Sequence, residues 1–173
     1  MEPGQFILLF KRKMAEIFQC RLAEIWIYSE LARSESETES KFVLYNEDGS
    51  TEIETSKVGI VGEIIHREQV YNCFLSNRQS SYNAETDGKI EEPILAMPYS
   101  VTESNGKKVY VIMIRGQNKK KIFTTYDERK LTRISKFIFS SFINSLYIDE
   151  LNNSSAGNEK LIQSLLRERK KKT

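Results

Sequence analysis

Residues 93–128 read PILAMPYSVTESNGKKVYVIMIRGQNKKKIFTTYDE. Pro93–Val101 and Val109–Arg115 are apolar runs of strand length. Asn105-Gly106 lies between them, and this dipeptide readily adopts the positive backbone angles of a two-residue hairpin turn. The stretch therefore predicts two adjacent antiparallel strands. It then continues with Asn118-Lys119, three residues, Phe123, three residues, and Asp127-Glu128. That fixed spacing joins the end of an apolar strand to the start of an amphipathic helix. Lys119 and Asp127 are opposite charges placed at the junction. Asp127 or Glu128 would also favour the positive end of the helix dipole.

Downstream, Asp127–Leu151 carries Leu131, Ile134, Phe137, Ile138, Phe142 and Leu146 on or near one helical face. Asn152–Asn158 reads as a Ser/Asn-rich linker, and residues 159–173 as a basic helical tail with an apolar stripe of Leu161, Ile162, Leu165 and Leu166. Upstream, Ser76–Glu92 is a long polar loop with one helical turn, a length that usually serves function. Before it come a strand at Gln69–Leu75 and a short helix entered through Gly59-Ile60-Val61-Gly62. Lys41–Asn46 is a strand followed by the turn residues Glu47-Asp48-Gly49-Ser50. Arg33–Ser40 is a polar loop, 21–32 a strand centred on Ile25–Tyr28, and 5–19 a helix with Phe6, Leu9, Phe10, Lys13, Ile17 and Phe18 largely at three- and four-residue spacings. Helix, two strands, short helix, strand, loop, hairpin and long helix make an α+β domain, an antiparallel sheet with helices packed on it. One domain over 1–151 is expected, with no internal repeat.

Composition narrows the function classes. No apolar run approaches bilayer length, so a cytoplasmic chain without membrane contact is expected. The formal charge of +2 is concentrated in the tail, where Lys160, Arg167, Arg169 and Lys170–Lys172 face only Glu159 and Glu168. The remaining body is slightly acidic and offers no footprint for nucleic acid. Gly59–Gly62 fits the GxxG of an RNA-binding loop, but Ile60 and Val61 are not residues that approach phosphates. Cys20 and Cys73 stand apart, and His66 is the single histidine. No metal cluster and no catalytic motif is expected, hence no enzyme.

Several motifs together resemble the GAF domain. Gly59-Ile60-Val61-Gly62 before Glu63-Ile64-Ile65 is similar to the family's "GIxG" helix opening, and Pro93–Pro98 to its "NILCxPI" strand. Val109–Arg115 resembles the strand that ends in Asn-Lys, and Phe123 with Asp127-Glu128 resembles the "F(T/S)xxDE" that opens the last helix. The resemblance covers about residues 5–148. It implies a central six-stranded antiparallel sheet with the terminal helices on one face. The Asn-Lys…Phe…Asp-Glu signature is associated with cyclic-nucleotide phosphodiesterases and adenylyl cyclases.

By that resemblance, the ligand would be cAMP or cGMP. Tyr45 would stack on the purine and Asn46 would meet its edge. The backbone at Ile60 and Val61 would face the cyclic phosphate, and Thr86, Asp87 and Glu91 would occupy the loop positions around it. Glu92 stands where the family usually has Arg, and carboxylates there repel a phosphodiester. Asn118, Lys119, Phe123, Asp127 and Glu128 would form a clamp between strand and helix, which either supports that pocket or only holds the fold. The second reading is a ligand-free scaffold that forms a homodimer or larger assembly through residues 5–19 and 127–148.

Overall fold

The computed structural model describes residues 1–32, 34–89, 91–104, 106–117 and 122–171. The chain begins with helix α1 (Pro3–Phe18) and continues into strands β1 (Leu22–Ala32), β2 (Thr38–Asn46) and β3 (Gly49–Ile53). Helix α2 (Val61–Ile64), strand β4 (Tyr71–Cys73) and helix α3 (Ala84–Asp87) follow. Strands β5 (Ile94–Glu103) and β6 (Gly106–Arg115) lead to helix α4 (Thr125–Lys171). The six strands form one antiparallel sheet in the order β3-β2-β1-β6-β5-β4. This is the expected α+β architecture.

Glu103 pairs with Gly106, so the β5–β6 hairpin forms where expected but closes one residue earlier than an Asn105-Gly106 turn, with Gly106 as the first residue of β6. Gly106 has φ +153°, and a Cβ there would overlap the Glu30 carbonyl of neighbouring β1. The hairpin tip therefore sits against β1 only because this residue has no side chain.

Alternation along the strands divides the core in two. Ile25 and Ile27 of β1, Tyr110, Ile112 and Ile114 of β6 and Leu95 of β5 face α1 and α4. Trp26, Tyr28, Val109, Val111, Met113, Ile94 and Ala96 face the other way, against Ile60, Val61 and Ile64. The β1 and β6 runs are apolar throughout because both their faces are covered.

Two elements differ from the sequence expectation. Gly49–Ile53 is a strand on the sheet edge, although four of its five residues are exposed and give no apolar alternation. Residues 152–158 are helical and continue α4 without a break. Ser and Asn are poor helix formers, but extending a helix that already exists costs far less than starting one, and no proline interrupts it. Among the described residues, no helix is long and apolar enough to cross a membrane.

Candidate functional site

The loop Gly59–Gly62 brings the start of α2 against the end of α3. The Ile60 and Val61 side chains are fully buried. The Ile60 N–H donates to Asp87 Oδ2 at 3.0 Å, and the Asn83 N–H donates to the same oxygen at 3.0 Å. Asp87 Oδ1 accepts from Arg115 Nη1 at 2.9 Å, while Arg115 Nε donates to Glu24. Arg115, Asp87 and Glu24 are 1%, 2% and 7% exposed, so this is a charge cluster inside the protein. Burial alone would lower the Arg115 pKa. The Glu24 and Asp87 carboxylates outweigh it, and the net direction is upward, so the guanidinium stays charged. Arg115 Nη2 has no hydrogen-bond partner among the described residues. Gly59 is required at its position, since a Cβ there would overlap the Asp87 carboxylate.

A second pair lies at the neighbouring strand end. Arg21 donates to Glu92 through Nε at 2.7 Å and Nη2 at 2.6 Å, the bidentate geometry that suits guanidinium and carboxylate. Glu92 is 4% exposed. The Thr86 hydroxyl donates to the Lys57 carbonyl, and Glu91 is exposed.

The expected nucleotide set does not converge. Tyr45 lies on the opposite face of the sheet from Ile60, Val61 and Asp87. It packs edge-on against Phe142 of α4, with ring centroids 5.1 Å apart. Strand parity is the reason. Phe42 and Leu44 take the α2 face, which leaves Tyr45 on the helix face. Asn46 pairs with Gly49 at the β2–β3 turn. The backbone N–H of Ile60, expected to meet a phosphate, meets Asp87 instead.

Of the strand–helix signature, Asn118 and Lys119 lie outside the described residues. Phe123 is 1% exposed and packs in the helix-side core, and its carbonyl accepts from Asn72 Nδ2 at 2.9 Å. Asp127 completes a reciprocal cap at the start of α4. The Thr124 N–H donates to Asp127 Oδ2 at 2.8 Å, and the Asp127 N–H donates to the Thr124 hydroxyl at 3.3 Å. Lys130 adds an ion pair to Asp127 at 3.8 Å. Glu128 sits beside Asp127 in the same first turn.

Sequence reading missed Arg115, Glu24 and Arg21. Each carried a signal. Arg115 ends the apolar run Val109–Ile114, and Glu24 interrupts the apolar run of β1. A charge embedded in a strand buried on both faces needs a partner.

The outer face of α4 is arranged differently. Phe137, Ser141, Asn144, Ile148 and Leu151 are exposed and alternate at spacings of four and three, and Ile162 and Leu165 continue the line. The sequence along it repeats every fourteen residues: Phe137, Leu151 and Leu165; Ser141 and Ser155; Asn144 and Asn158; Ile148 and Ile162. From Leu151 onward every described side chain of α4 is exposed. Beside Phe137, an apolar groove of about 190 Å³ runs between α1 and α4, with Leu9, Phe10 and Met14 on its other wall.

The sequence matches no protein-family model and no curated protein. Its structure does have solved counterparts. One is the GAF domain from a phosphoenolpyruvate-protein phosphotransferase of Coxiella burnetii. It aligns with a TM-score of 0.57 at 14% identity, over 84% of this chain and 85% of that one. The fold is that of a GAF domain. The GAF domain/HD domain protein from Geobacter sulfurreducens agrees, with a TM-score of 0.54 at 10% identity over 86% of this chain and 95% of that one. Within this GAF fold, the Arg115–Asp87–Glu24 cluster and the α4 seam lie on opposite sides of the sheet.

Proposed function

We propose that this chain is a regulatory GAF module that works by protein docking, with a second copy of itself as partner, and is not a cyclic-nucleotide receptor. The α4 seam carries this reading. A line of residues spaced four and three along one helix is the pattern of a two-helix seam. Two copies lying parallel and in register bring each layer of this seam against itself. Ile148 then meets Ile148, Leu151 meets Leu151, and the Asn144 amides can donate to and accept from each other. Ile at one core position and Leu at the other favours two strands. The α1–α4 groove extends the same surface with Leu9 and Phe137.

The α2 side of the sheet supports the negative half of the proposal. Asp87 already occupies the Ile60 N–H, and an incoming cyclic phosphate would meet that buried carboxylate. Tyr45, the expected base-stacking residue, is on the wrong face.

Light scattering on the full chain is the test. Twice the chain mass is expected at tens of micromolar. Ile148→Asp/Leu151→Asp is expected to give a monomer with unchanged circular dichroism, since both side chains are exposed. A monomeric wild type overturns the docking reading. Saturable heat with cAMP or cGMP at millimolar concentration overturns its negative half.

A further inference from the structure

The helix face of the sheet holds a feature that dimerisation does not use. A cleft of about 340 Å³ opens between the β1–β2–β6 surface and α4, with Ile27 and Val43 in its floor. Tyr45, Tyr110 and Tyr147 form its aromatic walls. Glu103, Asp149 and Glu150 line its mouth, together with Lys108. Lys108 pairs with Glu103 at 3.5 Å. Asp149 and Glu150 have no ion-pair partner among the described residues. Three carboxylates against one ammonium leave two negative charges on the cleft.

Tyr110 supplies an independent observation. It is 5% exposed, yet its hydroxyl makes no hydrogen bond among the described residues. A phenol with its ring packed and its hydroxyl at an open cleft presents a polar tip to whatever enters. Burial, and then the carboxylates of Glu103 and Glu150, push its pKa up to about 12. Burial followed by Glu150 and Asp149 moves Tyr45 in the same direction. Both phenols therefore stay neutral and lie within the field of the acidic mouth.

We infer that this cleft binds an organic dication of the alkyl-diammonium class. The ammonium groups would meet the Asp149 and Glu150 carboxylates, the Tyr110 hydroxyl would accept one N–H, and the alkyl chain would lie along the tyrosine rings. Aromatic faces attract ammonium ions electrostatically, and more so where water is excluded. Polar groups converging on a concave cleft of this volume, over the apolar floor of Ile27 and Val43, are a usual form of a small-molecule site. The seam residues Ile148 and Leu151 do not line it, so binding and dimerisation are separable.

Calorimetry of the full chain with putrescine at low salt tests the inference. Saturable one-to-one binding is expected, with no heat from the uncharged isostere 1,4-butanediol. Asp149→Asn/Glu150→Gln should weaken binding at least about tenfold by removing both unpaired charges. Tyr110→Phe, which deletes only the hydroxyl, should weaken it severalfold without lowering thermal stability. Absence of saturable binding overturns the inference. Equal affinity in both variants, or equal competition by sodium at matched ionic strength, overturns it as well, because either outcome marks a diffuse counter-ion effect.

Discussion

The two faces of the sheet solve opposite problems. On the α2 side, three charged residues are buried together and pair with one another, with Arg115 Nη2 left unpartnered among the described residues. On the helix side, aromatic residues supply the packing, and the Tyr110 hydroxyl opens on a cleft. The family resemblance in the sequence places a ligand's phosphate at Ile60, on the first face. There the Ile60 N–H donates to the chain's own Asp87. The difference shows that two faces of one sheet can be held by different means, buried ion pairs on one side and aromatic packing on the other.

Three substitutions sharpen or break that contrast. Arg115→Met should have the largest effect. It strands the Asp87 and Glu24 carboxylates without a counter-charge, at a cost on the order of 3–5 kcal/mol in denaturant unfolding. Neutralising both acids in the same background, with Glu24→Gln and Asp87→Asn, should recover much of that loss. Failure to recover it would mean that packing, not charge, holds the α2 face. Gly59→Ala should come next, at about 1–3 kcal/mol, because the new methyl pushes into the Asp87 carboxylate. Its cost and that of Arg115→Met should be clearly non-additive, since both act on one network. Tyr45→Phe should be the smallest, within about 0.5 kcal/mol, since the lost hydroxyl is bonded to nothing. A larger loss would show that the helix face also depends on polar contacts.

Much of the fold was legible because local chemistry and global placement agree. Asn105-Gly106 placed a hairpin, and the 3.6-residue spacing of Leu131, Phe142 and Leu146 placed the long helix. The edge strand Gly49–Ile53 was hidden because its side chains face water and carry no apolar pattern. The helical path through 152–158 was hidden because Ser, Asn and Gly argue locally for a break, whereas the helix continues from a segment already formed. The candidate site was far less legible. Tyr45 and Ile60 have suitable chemistry, but which face a strand residue takes depends on register with its neighbours. Arg115 finds Glu24 and Asp87 across long stretches of sequence, and no local pattern encodes that meeting. The alternating seam on α4 could have been read directly, but the supposed linker cut its repeat in two.

The unbroken course of α4 has a mechanical meaning. Roughly 35 Å of helix separates Phe142, anchored in the core, from Leu165. A rocking of about 5° at the anchor would carry Leu165 sideways by about 3 Å, more than half the rise of one helical turn. Displacements too slight to disturb the packing around Phe142 thus arrive at the far end as displacements large enough for another protein to feel.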